Sequence, residues 1–259
     1  MEHPEAALHL TGPLTRAATE AKGPIVVALP GAGCSPAIYD QGHCGGLPWH
    51  AVDWLAGEGP FDPVSIAGRI AAGLRARQGP TVLVGHSLGA FIALLVAIRH
   101  DGLAHALVLS NSGARIDGHG DPALPDRIRT AWDETNRAAF LRSCFECEPP
   151  PALFATMAAY LASLDPQRLL EAVLGLRRLD VSAELARVRC PTLIAHGRAD
   201  RRRPPAAAQA LAAGIPESEL EFLPGGHTPM VDDPAAYRAV VGRFLERALA
   251  APDPIHPRR

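Results

Sequence analysis

The sequence predicts an α/β fold, with a mainly parallel central sheet, helices on both faces and an inserted helical segment. Three observations carry that expectation. Short apolar or β-branched runs alternate with longer stretches of helical periodicity, the order that builds strand–helix–strand units and a parallel sheet. The runs are continuously apolar rather than alternating, as strands covered on both faces require. Between about 114 and 189 the alternation stops and only helical patterns appear.

IVVAL (25–29) reads as the first strand and leads into the loop LPGAGCSP. WHAVDW (49–54) reads as the second and is followed by LAGEGPFDP. SIAGRIAAGLRAR (65–77) has apolar residues at helical spacing. TVLVG (81–85) is a strand that runs into SLGAFIALLVAIR. That helix is apolar on every side, which fits a central buried position. HALVLS (105–110) is the next strand. The stretches 125–145, 151–164 and 165–180 all read as helices, the last with Asp165 as N-cap and Pro166 at its first position. PTLIAHG (191–197) and LEFLPGG (220–226) complete the strands. PAAAQALAAG (205–214) and PAAYRAVVGRFLERALA (234–250) complete the helices. The expected organisation is one core in two parts, 1–113 and 190–259, around a helical lid at 114–189. The proline-rich tail APDPIHPRR is expected to fray.

Composition narrows the function classes. A chain of 259 residues suits one large domain. It can bury roughly 70–75% of its unfolded surface, so it needs no staples. Net charge is −2, from 25 basic and 27 acidic residues, and no basic stripe appears. Nucleic acid is therefore not an expected partner. The first residues lack an apolar signal core, and the longest apolar run, around 87–98, is too short to span a membrane. Five cysteines (34, 44, 144, 147 and 190) form an odd, sparse set that predicts reduced thiols and a cytoplasmic location. CFEC (144–147) lacks the βαβ context or second ligand pair that a redox or zinc role needs. Whether Cys34 pairs with Cys44 does not follow from spacing. His43 and His50 fit no metal pattern, and no Gly-rich phosphate loop occurs. No metal or organic cofactor is expected.

The chemistry concentrates at VLVGHSLGA, where a strand precedes Ser87 and a helix follows it. A sharp strand–serine–helix turn exposes the hydroxyl, and it needs small residues two before and two after, here Gly85 and Gly89. The helix dipole and the free N–H of Leu88 then face developing negative charge. A serine nucleophile needs a base, and the base an orienting acid. Among eleven histidines, His227 lies in a glycine-rich loop after the last strand-like run. Asp200 follows another strand, so both fall at the carboxyl edge of the sheet, where α/β proteins collect catalytic groups. His86 and His196 read as packing or hydrogen-bonding residues. Arg201, Arg202 and Arg203 read as a solvated loop face, the alternative being that one attracts an anionic substrate or holds Asp200.

With the order serine, aspartate, histidine, the chain resembles the α/β-hydrolase family in its serine-nucleophile branch with a helical lid. The resemblance runs from LPGAG to the last helix. GHSLG resembles the family's nucleophile elbow. HGRAD with RRRP resembles its acid loop, GGHTP its histidine loop, and DWLAGEG (53–59) its turn after the fourth strand. It implies a catalytic triad of Ser87, Asp200 and His227, with oxyanion donors at the N–H groups of Leu88 and Ala32. The family usually has His-Gly in the oxyanion loop; this chain has Pro30-Gly31. It also implies an esterase- or lactonase-like enzyme that cleaves a carboxylic ester or lactone through an acyl-enzyme on Ser87. Carbon–carbon hydrolases and thioesterases use nearly the same residues, though many carbon–carbon hydrolases have asparagine where this chain has His86. A non-catalytic ligand-binding member is the remaining alternative. Candidate pocket residues are Gly31, Phe140, Phe145, Phe154, Met157, Tyr160 and Met230, with most lid aromatics expected to pack lid against core. They favour a small-molecule substrate with an apolar portion. The expected assembly is a monomer or homodimer.

Overall fold

A computed structural model describes residues 14, 16–116 and 120–250. The N-terminal segment read for a signal and the proline-rich tail lie mostly or wholly outside these residues. Six strands form one sheet in the order β2-β1-β3-β4-β5-β6, every pair parallel. They are β1 (Ile25–Leu29), β2 (Trp49–Ala51), β3 (Thr81–His86), β4 (Ala106–Ser110), β5 (Thr192–Gly197) and β6 (Ser218–Leu223). Each residue of β1, β3, β4 and β5 is buried, which is why these strands read as unbroken apolar runs. The edge strand β6 alternates exposed and half-buried residues over most of its length, consistent with one wet face.

Helices cover both faces. The first is the short α1 (Arg16–Glu20). Next, α2 (Pro63–Arg75) begins two residues earlier than its apolar spacing suggests. Asp62 caps it by accepting from the Val64 and Ser65 N–H groups, and Pro63 fits the first turn. The central helix α3 (Leu88–Arg99) buries ten of its side chains and Gly89, and packs on α2, β1, β3 and β4. Between β4 and β5 the chain forms four helices, not three: α4 (Leu124–Thr130), α5 (Glu134–Arg142), α6 (Pro151–Ser163) and α7 (Pro166–Arg177). The stretch 125–145 splits because Asp133 leaves the helical path and accepts the Asn136 N–H, starting α5. It ends at Arg142, so CFEC lies beyond the helix rather than in it. α4 packs on α7, α5 on α6, and α7 also reaches α2. After β5 come α8 (Pro205–Gly214), the short α9 (Pro229–Asp232) and α10 (Pro234–Ala250). No helix among the described residues is long and apolar enough to cross a membrane. All five thiols are free, and Cys34 does not pair with Cys44.

The strand order reverses direction at β1. The chain steps outward to β2, then crosses back to β3 on the other side of β1. The loops leaving β1 and β3 therefore diverge and open a crevice at their carboxyl ends, the place where open α/β sheets bind ligands. These are the loops that carry Pro30-Gly31-Ala32 and Ser87.

Candidate active site

Ser87 sits at the β3–α3 junction with φ 53° and ψ −116°, a left-handed value that a non-glycine residue holds only under surrounding constraint. Its N–H donates to the Ser110 carbonyl at 2.9 Å and its carbonyl accepts from Phe91. The turn is closed by contact. A Cβ on Gly85 would stand 2.3 Å from Ala90 Cα, and one on Gly89 would stand 2.1 Å from the Leu29 carbonyl oxygen.

Three side chains from three loops meet in a line. His227 Nε2 lies 2.9 Å from Ser87 Oγ, and His227 Nδ1 lies 2.9 Å from Asp200 Oδ2. The carboxylate can only accept, so Nδ1 carries the proton and Nε2 is left to accept the serine O–H. Asp200 has each oxygen occupied twice. Oδ1 accepts the N–H groups of Arg202 and Arg203 at 2.8 and 3.0 Å. Oδ2 accepts from His227 and, at 2.7 Å, from Asn111 Nδ2. Burial alone would raise the Asp200 pKa, but its hydrogen bonds and the facing His227 outweigh it and hold the carboxyl well below the usual range. Burial lowers the His227 pKa, against the opposing pull of Asp200. The ring is thus neutral at neutral pH, with Nε2 able to accept a proton.

Asn111 carries no signal that the motifs exposed. It has φ 51° at the end of β4, a conformation asparagine tolerates better than most residues. Besides Asp200 it donates to the Gly226 carbonyl at 3.0 Å, so one amide ties the acid to the histidine loop. SNSG after an apolar strand was the available hint. His86 packs beside His227, with their ring centroids 5.0 Å apart, and bonds its backbone rather than its imidazole. Its Nε2–H donates to the His227 carbonyl at 2.7 Å, and burial lowers its pKa to about 3. His196 contacts the Arg203 carbonyl at 2.9 Å and braces the acid loop.

The loop after β1, which has Pro30 where the resemblance implies histidine, is pinned by two side chains. Tyr39 Oη donates to the Leu29 carbonyl at 3.0 Å, and Trp54 Nε1 donates to the Pro30 carbonyl at 2.8 Å. Gly31 lies so close to the elbow that a Cβ there would stand 2.8 Å from His86 Nδ1 and 3.2 Å from Ser87 Cβ. Leu88 opens α3, so its N–H has no partner within the helix. The Ala32 N–H donates to no group among the described residues.

Ser87, His227, Gly31, Ala32 and Leu88 line a small cavity of about 60 Å³. Phe140 lines this cavity and, with Phe145, a larger outer hollow of about 660 Å³. Phe154, Met157, Tyr160 and Met230 line neither. Phe154 stacks under the Arg142 guanidinium at 4.8 Å, and Met157 and Met230 are fully buried. The Tyr160 hydroxyl donates to Asp53 at 2.7 Å. The segment after α5 is sewn to the histidine loop. Thr228 Oγ1 donates to the Cys144 carbonyl at 2.8 Å, and Asp232 accepts the Glu146 and Gly226 N–H groups at 3.1 and 2.8 Å. CFEC therefore acts through its backbone in this contact. No cluster of metal-ligating side chains occurs among the described residues.

The family model described as the alpha/beta hydrolase family matches residues 24–240, nearly all of this scaffold. The chain belongs to the alpha/beta hydrolase family. Among curated relatives, it is 29% identical over 168 residues to a protein of Escherichia coli named "Putative carbamate hydrolase RutD". That match covers 61% of this chain and 63% of the relative, so the chain spans less than two thirds of the curated relatives it matches. Among solved structures, the enol-lactonase of Burkholderia xenovorans superposes with a TM-score of 0.75 at 19% identity, covering 87% of this chain and 92% of the other. The esterase of Exiguobacterium antarcticum gives 0.75 at 19%, covering 86% and 92%. At these identities the two structures establish the shared fold. This α/β hydrolase thus keeps the family's sheet, with Tyr39 and Trp54 pinning the loop after β1.

Proposed function

We propose that this α/β hydrolase is a serine hydrolase that cleaves a carboxylic ester or lactone through an acyl-enzyme on Ser87. The observation that carries the proposal is the unbroken chain from Ser87 Oγ through His227 to Asp200, with both links at 2.9 Å. His227 takes the Ser87 proton as Oγ attacks the carbonyl carbon. The N–H groups of Leu88 and Ala32 stabilise the oxyanion, and Asp200 holds the imidazole tautomer and stabilises the imidazolium. His227 then protonates the leaving oxygen. It next draws a proton from water as the water oxygen attacks the acyl carbon, and returns that proton to Ser87 Oγ as the serine–acyl bond breaks and the acid leaves. The lactonase and esterase of like fold support this bond class, and the carbamate-hydrolase relative supports an acyl carbonyl more broadly. The helices α4–α7 act as the lid, with Phe140 and Phe145 facing the entering substrate.

Ser87→Ala is expected to abolish turnover of 4-nitrophenyl acetate and labelling by a fluorophosphonate. Full residual turnover would overturn the assignment. A folded wild-type protein that takes no label would favour ligand binding without catalysis.

A further inference from the structure

Among the described residues, the inner cavity is walled by more positive charge than its neighbours neutralise. Arg177, at the end of α7, and Arg202 and Arg203, after β5, all line it. The acidic lining residue, Asp121, is already engaged by Arg127. Asp200 lies behind His227 and meets Arg202 and Arg203 through their backbone N–H groups, not their guanidiniums. Among the described residues, no carboxylate forms an ion pair with Arg177, Arg202 or Arg203; the nearby pairs belong to Arg127 and Arg201.

Neutral groups hold the three side chains in place. Arg177 Nη1 donates to the Pro122 carbonyl at 3.0 Å and Nη2 to the Asp121 carbonyl. Arg202 donates to the Ser143 carbonyl at 3.2 Å and to its hydroxyl, over the Phe140 ring. Arg203 Nη1 donates to the Arg202 carbonyl at 2.8 Å. Its Nε and Nη2 have no protein acceptor among the described residues. Carbonyl dipoles fix direction but do not cancel charge, and an enclosed cation without a counter-ion is costly. Burial, with Arg202 and Arg177 adding to it and Asp200 opposing, lowers the Arg203 pKa to about 10, so the group stays charged at neutral pH. Leu124, Val173 and Leu176 add apolar surface to the same wall.

We propose that this cavity selects a short acyl substrate bearing a carboxylate, and that Arg203 is its specificity-determining residue, with Arg177 and Arg202 supplying the surrounding field. This rests on the serine-hydrolase function proposed above and names its substrate class. The reacting serine and the three arginines line one small cavity, so a short chain suffices to join the reacting carbonyl to the anion. Arginine suits a carboxylate because its planar fork can meet both oxygens.

The test compares monophenyl succinate with phenyl levulinate, which replaces the carboxylate by a neutral methyl ketone. In the wild type, kcat/KM is expected to favour the succinate at least about tenfold at low ionic strength, with the preference shrinking as salt rises. Arg203→Met is expected to cut the ratio of the two kcat/KM values about tenfold or more, and Arg177→Met to cut it less. Free succinate is expected to protect Ser87 from fluorophosphonate labelling, and succinamide is not. Equal kcat/KM for the two esters, or an unchanged ratio in both variants, overturns the anion site while leaving the hydrolase function standing. Labelling with no cleavage and no protection by succinate does the same. A folded wild type that neither cleaves nor labels overturns the hydrolase function itself.

Discussion

Gly89→Ala adds one methyl group at the closest approach in the site. The new Cβ would stand 2.1 Å from the Leu29 carbonyl oxygen and 2.4 Å from that of Pro30. Relief to a tolerable 3.0 Å contact requires a retreat of about 1 Å. Those two carbonyls cannot yield freely, because Tyr39 and Trp54 hold them by hydrogen bonds, each contributing about 1 kcal/mol. Either the oxyanion loop moves and strains both bonds, or the start of α3 moves with Ser87 and Leu88. In both cases the two proposed oxyanion donors change their separation. Overpacking of this kind costs about 1–3 kcal/mol, which lowers Tm by roughly 2–12 °C in a chain of this size. A displacement near 1 Å costs about 10²-fold in rate. The assay is kcat/KM on 4-nitrophenyl acetate beside a thermal melt, with Gly68→Ala as control, since a Cβ on Gly68 meets nothing within 4 Å. Unchanged kcat/KM and Tm in Gly89→Ala would refute the reasoning.

Two further outcomes follow from the polar core. Asn111→Ala removes both hydrogen bonds that the side-chain amide donates, to Asp200 and to the Gly226 carbonyl, and leaves a residue less suited to φ 51°; stability should fall by about 2–4 kcal/mol and kcat by about tenfold or more, measured by denaturant titration and initial rates, whereas a silent variant would remove Asn111 from the site's support. Acid should destabilise the fold as pH falls through the ordinary histidine range. His86 has its folded pKa lowered to about 3 from an ordinary 6.5, so the unfolded chain binds its proton first and stability is lost as pH falls below 6.5. From pH 7.5 to 5.5 His86 alone costs about 1.4 kcal/mol. His196 and His227, lowered in the same direction, add to it. A flat stability profile across that range, read by urea midpoints, would count against their burial as neutral rings.

Much of the scaffold is legible in the sequence because its physics is local or periodic. Continuous apolar runs such as IVVAL and TVLVG mark strands buried on both faces, and an all-apolar α3 marks the centre. Small residues flanking Ser87 announce a turn too tight for a Cβ. The Asp133 cap was equally local, yet the surrounding helical periodicity masked it. Other features depend on residues distant in the chain. No spacing says that Asn111 reaches Asp200, that Trp54 holds the Pro30 carbonyl, or that the CFEC backbone is stitched to Asp232 and Thr228. The aromatics of the inserted helices show the same limit. Phe140 and Phe145 line the cavities while Met157 does not, a choice made by how the inserted segment packs rather than by hydrophobicity. Sequence by itself determined the tight turn at Ser87 and the sheet edge that gathers it with Asp200 and His227, since both follow from backbone sterics and strand order. Only the tertiary structure decided that Arg177 joins Arg202 and Arg203 around one cavity, because charge in a pocket depends on which loops close over it.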